Sequence, residues 1–120
     1  MENISTIYYN DFGVAFQWQK HAAFDSKKIQ LVFRNTGFYL TLKELIQFST
    51  CVEMAIESPL LCLDCNDVHS CKSLLLKTPF EQVNFVMSFA ELNSVNDLIK
   101  GTFFQLKLDK FLENQFINKS

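Results

Sequence analysis

Glycine and proline are scarce in this chain, at three and two of 120 residues. Flexible and stiff linkers draw on those residues, so the scarcity argues against a string of separate modules. The length suits one domain over 1–120, since domains cluster around roughly 100–150 residues. Positive charge is thin as well. Eleven basic residues face thirteen acidic ones for a net charge of −2; Arg34 is the sole arginine, and no lysine cluster exceeds Lys27–Lys28. A nucleic-acid binder needs a basic stripe to neutralise phosphates, and a membrane-surface binder needs a basic amphipathic helix. Neither pattern is present, so partners of both kinds are excluded at this stage.

Long apolar runs are missing too. None approaches the ~20 residues that span a bilayer. The opening MENISTIYYNDF has no basic segment leading into an apolar one, so it does not read as a secretory signal. A cytoplasmic location is expected, where thiols stay reduced. Glycine-rich phosphate loops, H-E-x-x-H, G-x-S-x-G and EF-hand patterns are absent. His21, in KHAAF, has no nucleophile or orienting partner assignable to it, and reads as a loop histidine. The expectation is a protein that is not an enzyme.

What the chain has is apolar mass. Hydrophobic residues make up 48%, and thirteen are phenylalanines. A disordered chain would be poorer in aromatics and richer in net charge. Two stretches share one pattern: FYLTLKEL at 38–45 and FVMSFAEL at 85–92. Each runs from an apolar strand-like segment into a hydroxyl residue, Thr41 or Ser88, three positions ahead of Glu44 or Glu91. That is the capping-box signature, in which hydroxyl and carboxylate each satisfy an orphan amide of the first helical turn. Two such boxes predict two strand-to-helix transitions and a duplicated strand–strand–helix unit.

Strands are predicted at Ile4–Tyr9 and Val14–Gln19 around the turn NDFG, at Lys28–Phe33, and at Phe38–Leu40 after the turn RNTG. Two more are predicted at Ser73–Lys77 and Val83–Met87. The first helix starts near Leu42 and ends before Pro59. The second starts near Phe89 and runs to about Asn114, with Gly101 a candidate break. Beyond it Phe104, Leu108, Phe111, Leu112 and Phe116 keep a helical stripe. In VAFQWQ, alternation sets Val14, Phe16 and Trp18 opposite Ala15, Gln17 and Gln19, and core packing is the expectation for Trp18. The predicted fold is α+β. It has an N-terminal hairpin at 4–19, repeats at 28–57 and 73–116, and a cysteine-rich loop at 60–72 joining them. Together these make a mainly antiparallel sheet of about six strands with helices on one face.

The connecting loop carries the only concentrated chemistry. CLDCNDVHSC places Cys62, Cys65, His69 and Cys71 at C-x2-C-x3-H-x-C spacing. Zinc takes four thiolate or imidazole ligands in a tetrahedron, and C-x2-C turns two sulfurs to one point. Cys51 is a spare ligand. A structural reading stands beside it: Cys62 lies between Leu61 and Leu63, and such cysteines are commonly buried as small hydrophobes. A third reading is a reactive dithiol at Cys62 and Cys65, with His69 lowering a thiol pKa. Arg34 reads as a solvated turn residue, or as a bidentate anion ligand.

The string KIQLVFRNTGFYLTLKELIQF, with LLLKTPFEQVNFVMSFAELNSV after the loop, resembles a family of short uncharacterised bacterial proteins, a domain of unknown function. Its shared features are strand patterns and helix starts. The resemblance implies the strand–strand–helix plan and no activity. Family members carry a cysteine pair ahead of the IQL strand, where this chain reads FQWQKHAAFDSKK. Any zinc site is thereby confined to the later loop. Taken together, these readings give three expectations. The first is a small non-enzymatic domain that binds a partner protein or forms a homo-oligomer. The second is a zinc-stabilised module, and the third a thiol-redox protein.

Overall fold

The structure is a computed structural model that describes residues 4–18, 28–59, 66–67 and 71–118, with side chains as far as Lys107. The order is β1 (Ile4–Tyr9), β2 (Gly13–Trp18), β3 (Ile29–Phe33), β4 (Thr36–Leu40), α1 (Leu42–Glu57), β5 (Leu74–Lys77), β6 (Asn84–Met87) and α2 (Phe89–Asn118). The class is α+β. The first four strands form an antiparallel meander, β1-β2-β3-β4, and β5 pairs with β6 alone.

Two hairpins of the meander, β1–β2 and β3–β4, are set by their turns. Phe33 pairs with Thr36, leaving Arg34-Asn35 as a two-residue loop. Both loop residues have positive φ, 51° and 60°. That is the left-handed pair a type I′ turn requires, because it matches the strands' own twist. Asparagine accepts this backbone readily, whereas arginine does so at a cost. In the first hairpin the Asn10 carboxamide oxygen accepts from the amides of Phe12 (2.8 Å) and Gly13 (3.0 Å). This side-chain mimic of a turn is why asparagine suits the position.

Each helix opens on its capping box. Thr41 Oγ1 accepts from the Glu44 amide at 3.1 Å, and Glu44 Oε1 accepts from the Thr41 amide at 2.9 Å. Ser88 and Glu91 repeat the exchange with the same two distances. Helix α1 ends where the Ser58 amide donates to Met54 O, one residue before Pro59, which disfavours helical backbone behind it.

The core draws on every element except β1, whose Ile7 and Tyr8 pack against it half-buried. Ile29, Leu31 and Phe33 alternate inward from β3; Leu45, Phe48 and Val52 are buried on α1, with the Phe48 ring 6.4 Å from Phe33. Leu74, Leu76 and Met87 come from the small sheet; Leu92, Val95, Leu98 and Ile99 come from α2. Full burial of each such side chain is worth about 1.5–3 kcal/mol. At the junction of the two sheets the rings converge: Phe33 lies 5.2 Å from Phe85, and Phe38 lies 5.5 Å from Phe85 and 6.1 Å from Phe80.

Three expectations need correction. The sequence predicts one sheet of about six strands, whereas the six form sheets of four and two. Phe80 and Phe85 carry the second hairpin onto the Phe33–Phe38 rings as a packed layer. On β6 the Arg34 guanidinium donates to Val86 O at 2.7 Å, so the link to the β3–β4 hairpin runs through a side chain. Second, the core side of β2 is not the Trp18 side. Ala15 is fully buried, while Trp18 is half-buried with its indole N–H donating to Gln30 Oε1 at 3.1 Å. A Cβ on Gly13 would overlap the Val32 carbonyl oxygen of β3 and crowd Phe33 Cβ at 2.9 Å, with Leu98 Cδ2 of α2 at 3.1 Å. Only glycine fits there. Third, Gly101 does not break α2. A Cβ at Gly101 would overlap the Tyr8 ring, so glycine is the notch that admits the tyrosine.

Candidate functional site

Of the four expected zinc ligands, Cys62, Cys65 and His69 lie outside the described residues, as does His21. Cys71 is described and fully buried, within the apolar core cluster. Its amide donates to Asp67 O at 3.1 Å. Among the described residues no three His, Cys, Asp or Glu side chains gather as a metal group would require.

The other described cysteine, Cys51, lines a cleft. On α1, Leu45, Phe48, Ser49 and Val52 are the buried face. Cys51, Met54, Ala55 and Ser58 recur at i, i+3, i+4 and i+7, and so share an adjacent face. On β5, Leu74 and Leu76 are buried, and Leu75 and Lys77 alternate to the other side. These two faces enclose a cleft of about 400 Å³ lined by Cys51, Met54, Ala55, Glu57, Ser58, Leu75 and Lys77. Its floor is apolar; Glu57 and Lys77 put one charge of each sign on the rim. Burial pushes the Cys51 thiol up, against a smaller opposing effect of the Lys77 ammonium. A thiol held protonated is a poor nucleophile.

A second, shallower hollow of about 270 Å³ lies where the β1–β2 turn meets α2, lined by Asn10, Asp11, Phe12, Asn93, Ser94 and Asp97. Asn10 and Asp97 hold turn to helix there. Asn10 Nδ2 donates to Ser94 O (3.0 Å) and to Asp97 Oδ2 (2.9 Å), and Tyr8 Oη donates to the same carboxylate oxygen at 3.0 Å. That hydrogen bond, with lesser help from desolvation and from the Asp97 charge, raises the Tyr8 phenol above its ordinary value of 10.0.

Apolar side chains also stay exposed on the helices. Met54 is 63% exposed and Phe104 is 64% exposed. Leu42 and Ile46 are also exposed, one helical turn apart on α1. Phe104 opens the stripe read in the sequence, and the α2 backbone stays helical past it to Asn118. Among the described residues no helix is long and apolar enough to cross a membrane.

The Arg34 bond to Val86 O, the Asn10 contacts to α2 and the Cys51 cleft escape sequence reasoning. The signal for Asn10 is the N-D-F-G turn itself; the cleft depends on which face of α1 meets β5, and no local pattern states that. Comparison of this chain with protein-family models, with curated proteins and with solved structures finds no match.

Proposed function

We propose that this protein is a non-enzymatic binding domain that associates with a second copy of itself through the distal half of α2. One observation carries the reading: α2 continues as a helix for 30 residues while Phe104 is already 64% exposed. At 1.5 Å per residue such a helix is about 45 Å long. The molecule measures 61 × 30 × 25 Å, and its radius of gyration is 16.4 Å. A compact chain of this length has about 13–14 Å, so mass is carried away from the body.

The stripe Phe104, Leu108, Phe111, Leu112 and Phe116 recurs at helical spacing over that distal stretch. A helix with one apolar stripe can pack against its own copy, ridge into groove, and a two-fold pair repeats every contact. We also read β3–β4–α1 and β5–β6–α2 as two copies of one strand–strand–helix unit, with the helices on one face of the larger sheet. The matched capping boxes support that reading. In this account the body displays the helix and performs no chemistry.

Phe104→Glu tests the assignment. Phe104 lies outside the buried core, so the variant should keep the thermal midpoint of the parent body. It should lose association, because two carboxylates would face each other across the two-fold. A variant that associates as the parent does would refute the reading.

A further inference from the structure

We propose that the cleft between α1 and β5 is a peptide-binding groove, taking an extended segment of a partner protein as an added strand along the outer edge of β5. The groove is distinct from the α2 stripe, so the inference stands independently of self-association. It rests on three features.

The first is the edge. β5 pairs with β6 on one side, and among the described residues no strand lies on its other side. Unpaired strand amides and carbonyls template a further strand, and strand addition beside a helix is a recurrent way to hold an extended peptide.

The second is the cavity beside that edge. About 400 Å³ is walled by Cys51, Met54, Ala55 and Leu75, within the size range of small ligand pockets. Side chains of an extended strand alternate in direction, so the guest inserts one apolar side chain and turns its neighbours outward.

The third is the rim, where Glu57 and Lys77 carry opposite charges. Elsewhere on α1, Glu53 is bridged to Lys100. A guest with a basic residue on one side of its apolar anchor and an acidic residue on the other matches this rim in one direction only. Like-charge juxtaposition penalises the reverse. The guest is therefore an extended segment of basic–apolar–acidic order, read in the direction that sets its acid against Lys77.

Selection from a displayed library of random octapeptides on the full chain tests the proposal, followed by fluorescence anisotropy with the recovered peptides. The Phe104→Glu variant runs in parallel, so that loss of self-association cannot be mistaken for loss of the groove. Recovered peptides should carry an aliphatic or aromatic residue between opposite charges. Lys77→Glu, a change at an exposed side chain, should weaken them at least tenfold. Exchanging the peptide's acid for lysine should restore binding to that variant. Bound peptide should also slow alkylation of Cys51, followed by mass spectrometry of its own tryptic fragment. The proposal fails if no octapeptide is enriched. It fails equally if enriched peptides bind wild type, Lys77→Glu and Met54→Glu alike.

Discussion

Gly101 shows how a residue's ordinary meaning is reversed by what packs on it. Alanine at a helical glycine normally gains about 1 kcal/mol. Here the added methyl would enter the Tyr8 ring, and overpacking costs about 1–3 kcal/mol. Gly101→Ala should therefore be destabilised by about 1 kcal/mol in urea titration, and Tyr8→Ala in the same chain should remove the penalty. The displaced ring would also leave Asp97, so its phenol should titrate nearer 10.0, seen as phenolate absorbance. The sign follows from the raised pKa. The protonated phenol donates to Asp97, so its contribution is whole below the ordinary tyrosine value and is lost as pH climbs through the raised one. Cys71 poses the parallel question for the thiols. Its place in the apolar core predicts that Cys71→Ala loses stability on the order of 1 kcal/mol, equally with and without a chelator. About one zinc per parent chain, released by this change, would show instead that Cys71 is a ligand. Sequence spacing gathers these ligand types into ten residues. It is silent on Cys71 being a core side chain, because burial is decided by the tertiary core cluster and not by ligand spacing.

At the scale of elements, the capping boxes predict matched energetics. Thr41→Ala and Ser88→Ala each remove an acceptor from a first-turn amide, a loss that usually costs about 0.5–2 kcal/mol. The two should lower the unfolding midpoint by similar amounts and should add in the double variant, since the caps belong to separate helices. A large loss at one cap and none at the other would break the parallel between the two units. These helix starts, and the end of α1 before Pro59, were legible because capping and proline effects act within four residues. The NDFG and RNTG turns were legible for the same reason. The split into two sheets was not, because it turns on Phe80 and Phe85 packing over Phe33 and Phe38, and on Arg34 reaching Val86. The side of β2 that faces the core was hidden too. Apolar bulk pointed to Trp18, but the buried side is that of Ala15, and at Gly13 the neighbouring β3 backbone leaves no room for a side chain.

For the whole molecule, the central claim is that the body displays a helix whose distal half binds a second copy. The stripe itself was legible as a 3.6-residue period running past Gly101. Its use was not, since periodicity marks an apolar face without saying what covers it. Sedimentation velocity of the full chain across micromolar concentrations addresses the claim directly, alongside Phe104→Glu. The account predicts a species of twice the 13.9 kDa chain mass for the parent, dissociating on dilution, and a monomer for the variant. A parent that remains monomeric throughout that range would contradict it.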